Sequence, residues 1–185
     1  MASLRVARLL RVLIVAAVVM CATASSRGVA AMESRAVASS CASSIVQYQP
    51  YPNAGAGTES LPWVQATPSS AGLVGQLFYY QGTPWQQGSL PRARIYTDGK
   101  TPNGGTTKIL WLAHGTGAGL VLVVRGKRLD HRGSFTQSFS TAGRDEYPSI
   151  VEVPVAGCWQ LQLTSGTKSA RLIFLAVKAV SALRK

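Results

Sequence analysis

Between Ser149 and Val177 the chain reads strand, turn, strand, turn, strand. Ser149–Val155 alternates apolar and polar residues, with Pro154 near its end. Gly157-Cys158-Trp159 leads into Gln160-Leu161-Gln162-Leu163, a Ser165-Gly166 turn and the apolar run Ala170–Val177. A period of two sends successive side chains to opposite faces. Trp159, Leu161 and Leu163 then share one face and belong in a core, while Cys158, Gln160 and Gln162 share the other. A cysteine is thereby set within a sheet but outside its main core, where a bridge would pin down whatever lies on that face.

The pattern extends upstream. Leu73–Tyr80 is rich in apolar and aromatic residues, and Leu90–Thr97 sets Ala93, Ile95 and Thr97 against Arg92, Arg94 and Tyr96. Thr107–Ala113 puts Ile109, Trp111 and Ala113 on one face, Leu120–Val124 is apolar on both, and Ser134–Ser140 alternates Phe135, Gln137 and Phe139 with polar partners. Asp98-Gly99 and Asn103-Gly104 are strong turn signals because these residues tolerate positive φ. Residues 71–185 show no sustained helical stripe and no repeat. About eight short strands with Gly/Pro turns between them predict an all-β antiparallel sandwich over residues 71–180. Residues 25–70 are first Ala/Ser-rich and then Pro-rich, with Leu61-Pro62-Trp63-Val64 near the end. Proline fixes φ and removes a donor, so this part reads as an extended arm instead of a strand. Trp63 is expected to dock it, with ligand stacking as the alternative role.

Arg5, Arg8 and Arg11 precede the apolar run Val12–Met20, and Ala22-Thr23-Ala24 supplies small residues. This fits a signal peptide over residues 1–24, cleaved after Ala24, with Ala31 as a second choice. The apolar run is short for a spanning helix, which needs about 20 residues. An uncleaved leader and a lipid anchor are the alternatives. Met20 fits poorly before a lipidated Cys21, and Cys41 lies far past the apolar run. Cleavage would remove three arginines and no acid, so the +12 of the whole chain becomes +9. Such a basic protein attracts polyanions non-specifically. Its densest basic group, Arg125-Gly126-Lys127-Arg128 with Arg132, reads as a solvated turn at a strand end. It lacks the interleaved aromatics of a nucleic-acid face, so no specific nucleic-acid partner is expected.

Loss of the leader would leave Cys41 and Cys158. Two thiols in an oxidising compartment invite one disulfide, and two free thiols are the alternative.

Catalytic signals are weak. His114 stands at a strand end before Gly115-Thr116-Gly117-Ala118-Gly119, and His131 lies in the turn Leu129-Asp130-His131-Arg132-Gly133. Neither has a neighbour at metal-ligand spacing. Asp130 beside His131 reads as turn chemistry. The acids Glu33, Glu59, Asp98, Asp130, Asp145, Glu146 and Glu152 are scattered, whereas glycosidase chemistry needs two facing carboxylates. No Gly-x-Ser-x-Gly elbow occurs. The glycines at 115, 117 and 119 are followed by a strand, not the helix N-terminus that a phosphate loop needs, and read as a hairpin loop. The residues point to no cofactor, no metal and no catalytic set.

Several segments, in order, resemble a family of uncharacterised exported bacterial proteins. They are Cys41 ahead of the Pro/Tyr-rich arm, Trp63, Lys108-Ile109-Leu110-Trp111, Arg125-Gly126-Lys127-Arg128-Leu129-Asp130, and Gly157-Cys158-Trp159 with Gly166 after it. The chain differs in lacking a proline after Cys41. The resemblance implies a secreted or envelope-attached, immunoglobulin-like β domain with Cys41 and Cys158 paired, and it brings no catalytic or binding residues.

The expected function is a non-enzymatic extracytoplasmic binding or structural module, acting as a monomer on a protein or glycan of the cell envelope. Contact with a membrane would come only through the leader or a lipid. The candidate ligand patch is Tyr79, Tyr80 and Trp85, whose rings could stack on sugars or peptides; the alternative is that they are core. A secreted hydrolase with a site assembled in space, and an envelope protein held by polyanions, are the competing readings.

Overall fold

A computed structural model describes residues 41–52, 60–80, 92–115, 117–143 and 145–179. The expected leader therefore lies outside the described residues. Cys41–Lys185 forms one unit by internal contacts. Its described residues hold ten strands: β1 (Val46–Gln47), β2 (Trp63–Gln65), β3 (Leu73–Leu77), β4 (Arg94–Tyr96), β5 (Lys108–Ala113), β6 (Val121–Arg128), β7 (Ser134–Ser140), β8 (Glu146–Ile150), β9 (Gly157–Ser165) and β10 (Lys168–Val177). They form two five-stranded sheets, β1-β2-β3-β5-β8 and β4-β10-β9-β6-β7. All pairs are antiparallel except β4 with β10. The all-β sandwich expected from the alternating pattern is the fold.

The two inner faces meet in one core. The first sheet contributes Leu73, Leu77, Ile109, Trp111 and Tyr147, and the second contributes Ile95, Leu122, Val124, Trp159, Leu161, Leu163, Leu172 and Phe174. Gly75 makes room for the largest of them, since a Cβ there would lie 2.6 Å from the Trp111 ring. Several polar groups within the core are hydrogen-bonded. The Trp111 indole donates to Ser149 Oγ at 2.9 Å, and that hydroxyl donates to the Ile109 carbonyl at 3.1 Å. The Tyr147 hydroxyl donates to the Gly119 carbonyl at 2.5 Å and lies 2.8 Å from Ser165 Oγ, tying the sheets together.

Three expectations are corrected. First, the Pro-rich stretch is not only an arm. β1 and β2 join the first sheet beside β3, so the domain begins at Cys41 and not near Ala71. Pro62 is tolerated because it precedes β2 and uses only its carbonyl, which accepts the Leu77 amide at 2.7 Å. Trp63 does hold this part in place: its indole donates to Gln49 O at 2.9 Å and its ring lies 4.9 Å from that of Tyr51. Second, the strand expected over Ser149–Val155 is centred earlier, on Glu146–Ile150. Pro148 fits there because β8 is an edge strand. Third, Gly115–Gly119 is a crossover between sheets, not a hairpin. Its glycines let the backbone press on the β9–β10 turn. A Cβ at Gly119 would meet Gly166 N at 2.7 Å, and one at Gly166 would meet Gly117 O at 2.2 Å.

The Cys41–Cys158 disulfide is formed, with Cα atoms 5.5 Å apart across a sequence separation of 117. Cys158 points away from the core, as the pattern of β9 required, and is buried. The segment after Cys41 runs along β10. Ser44 N donates to Ile173 O at 2.8 Å, and Ser44 O accepts from Ala93 N at 2.7 Å.

Candidate functional site

The two halves of the Gly126–Asp130 and Gly157–Trp159 pattern meet at one end of the second sheet. Gly126 faces inward on β6, where a Cβ would fall 2.0 Å from the Phe135 ring. That ring packs on Trp159 with centroids 5.4 Å apart. Arg128 lies opposite Trp159 in register. Its guanidinium pairs with Asp130 at 2.8 Å. Both groups sit where a Cβ of Gly157 would be, 2.7 Å from Arg128 Nε and from Asp130 Oδ2. Leu129 N donates to Cys158 O at 2.8 Å, and Arg128 N donates to Gly133 O at 3.0 Å. The loop between β6 and β7 is thus clasped to the start of β9, beside the disulfide. Burial would push the Asp130 carboxyl up. The hydrogen bond from Arg128, backbone donors including Cys158 and the guanidinium charge outweigh it, and its pKa is lowered.

From this clasp the outer face of the second sheet opens. Gly126 does not end the strand as a turn would, so Arg125 and Lys127 stand within β6 and project outward. The register sets Thr136, Arg125, Gln162 and Arg171 in one row across β7, β6, β9 and β10, and Ser134, Lys127 and Gln160 in the next. Strands lie about 4.8 Å apart and alternate residues about 7 Å along a strand, so the charges are spread over the sheet. No outward position on these four strands is acidic. The Arg128–Asp130 pair is the only salt bridge among the described residues, which leaves Arg125, Lys127 and Arg171 without one. At the clasp end, Arg125, Lys127, Arg128, His131 and Arg132 line a shallow groove of about 690 Å³ floored by Gln160 and Gln162.

The patch expected from Tyr79, Tyr80 and Trp85 does not present two of its three rings. Tyr79 and Tyr80 are 7% and 0% exposed. They lie in a 3₁₀ turn after β3, with rings 5.2 Å apart. The Tyr79 hydroxyl donates to Arg94 O at 2.6 Å and the Tyr80 hydroxyl to Arg92 O at 2.9 Å, and burial raises both phenol pKa values. A hydrophobic run with paired aromatics reads alike for core and for surface, and here the core takes both. Trp85 lies outside the described residues.

The histidines stand apart. His114, at the end of β5, stacks on Tyr51 at 5.4 Å, and its Nε2 is buried with no hydrogen-bond partner. Burial lowers its pKa, partly opposed by Asp145 and reinforced by Lys168. Lys168 Nζ is occupied with the carbonyls of His114 and Ala71, at 2.6 and 3.2 Å. His131 lines the basic groove. Neither imidazole hydrogen-bonds to a serine or a carboxylate, and no three potential metal ligands converge among the described residues. The basic face was missed in the sequence because Arg171 joins Arg125 only through the register of three strands. Comparison with family models, curated proteins and solved structures finds no match.

Proposed function

We propose that the protein is a non-enzymatic extracytoplasmic binding module that attaches to polyanions of the cell envelope through the outer face of its second sheet. One observation carries this reading: Arg125 and Lys127 on β6 and Arg171 on β10, with β9 between them, project from a face with no acidic position, amid Ser, Thr and Gln side chains. Cations fixed on a rigid sheet attract an extended anionic polymer, while hydroxyls and amides supply hydrogen bonds to its oxygens. The outward positions of β6, β7, β9 and β10 carry no aromatic side chain, which disfavours base stacking there, so charge and not base identity would select the ligand. An extracytoplasmic setting is supported by the Cys41–Cys158 bridge, since disulfides persist in oxidising compartments. An immunoglobulin-like arrangement is supported by the adjacency of β5 with β8 in one sheet and of β6, β9 and β10 in the other, as in strands B–E and C–F–G of that fold.

The test is retention on an anionic matrix. The wild type should bind and elute with modest salt, and Arg125→Gln, Lys127→Gln and Arg171→Gln together should move elution to lower salt and flatten its salt dependence. Retention indifferent to salt, or unchanged in the triple variant, would refute the reading.

A further inference from the structure

The outer edges of the two sheets are protected, with one exception. β1 has two residues, and β8 carries Pro148 and begins with Glu146. Along β10, beside the three-residue β4, the edge is covered in turn by Thr67, Ser44, Ala93 and Thr97. β7 is different. It has seven residues with no proline and no charge, and its register with β6 runs unbroken from Ser140 opposite Val121 to Ser134 opposite Lys127. Among the described residues it pairs with β6 alone. A long neutral edge of this kind is a template for a further strand.

The sequence of β7 selects that strand. Ser134-Phe135-Thr136-Gln137-Ser138-Phe139-Ser140 reads nearly the same in both directions about Gln137. Two copies paired antiparallel about Gln137 set Ser134 against Ser140, Phe135 against Phe139, and Thr136 against Ser138. Phe135 and Phe139 are half-buried and packed on the core, so aromatic pairs would meet on the inner side and hydroxyl pairs on the outer. Both kinds of cross-strand pair are favourable.

We propose that the protein forms a two-fold dimer in which β7 pairs antiparallel with β7 of a second copy, centred on Gln137. The contact is self-complementary and closes at two, because the joined ten-stranded sheet ends on a covered edge at each side. The neutral strand has a purpose in this arrangement. It holds the β6 cations of the two copies about three strand spacings apart, roughly 14 Å, which exceeds the screening length of about 8 Å at physiological salt. The two outer faces then become one continuous basic surface.

Sedimentation of the full chain over a concentration series tests this, with a dimer expected for the wild type. Thr136→Lys with Ser138→Lys sets ammonium groups opposite each other twice across the two-fold axis and should weaken the dimer by about tenfold. Thr136→Lys with Ser138→Glu makes both pairs attractive and should restore it. Both positions are exposed, so neither pair of changes disturbs the core. A wild type that stays monomeric overturns the proposal. So does a dimer insensitive to the paired lysines, or equal weakening by both double variants. Amide exchange supplies a measurement on the wild type alone: β7 should exchange more slowly as concentration rises, and β7 exchange unchanged on dimer formation overturns the proposal.

Discussion

The Arg128 guanidinium and the Asp130 carboxylate meet at 2.8 Å in the space that a side chain at position 157 would fill. Gly157 also has φ of +145°, a backbone conformation that side-chain-bearing residues rarely adopt. Gly157→Ala should therefore destabilise the domain by about 1–3 kcal/mol, through backbone strain and displacement of the pair. Gly143→Ala is the control, because nothing lies within 4 Å of its Cβ position, and it should stay within about 0.5 kcal/mol of wild type. Urea midpoints of the three proteins check both statements.

The same pair sets an acid limb. Asp130 titrates below its ordinary value in the folded protein. A depressed carboxyl contributes stability that is present above the unfolded pKa of about 3.9 and is lost as pH falls through the folded value. Stability of the wild type should thus fall with acid more steeply than that of Asp130→Asn, which has no carboxyl to protonate. Denaturation at a series of acidic pH values measures it, and parallel curves would contradict the assignment.

What could be read in the sequence follows from where a single period decides. β7, β9 and β10 alternate cleanly because each has one face on the core, and Trp159, Leu161 and Leu163 fall inside as the period of two requires. Ile109, Trp111 and Ala113 follow the same rule on β5. β1 and β2 were hidden because two- and three-residue strands beside prolines carry no period. The extent of β6 was hidden because Gly126 looks like a turn, although it is the position that admits the Phe135 ring. Tyr79 and Tyr80 could not be sorted into core or surface without the carbonyls of Arg92 and Arg94 that receive their hydroxyls. The basic face needs three strands in register, which no local pattern contains.

Gly126 and Phe135 should behave as a coupled pair. A methyl at position 126 would fall 2.0 Å from the ring, so Gly126→Ala must drive Phe135 off Trp159. Overpacking of this kind costs about 1–3 kcal/mol. Phe135→Leu vacates the space, and the double variant should be less destabilised than the sum of the two single changes, with a coupling of about 0.5 kcal/mol or more. A double-mutant cycle in urea gives the value directly, and strict additivity would show that the ring had another place to go.

The disulfide should matter most for the segment that follows Cys41. Ser44 is tied to Ile173 and Ala93 by backbone hydrogen bonds, but those bonds lie along one edge of β10. Covalent closure over a separation of 117 residues restricts the unfolded chain, which on the chain-entropy model is worth about 4–5 kcal/mol and in practice often less. Removing it by Cys41→Ser with Cys158→Ser should lower the urea midpoint accordingly. The amides of Ser44 and Ala93 should also exchange faster than those of β6 and β9, because the segment can then peel from β10 while the sheet behind it stays paired. The check is denaturation of the oxidised, reduced and double-serine proteins side by side with amide exchange at these positions. Equal midpoints in all three would mean that packing of Val46 and Val64 alone retains the segment.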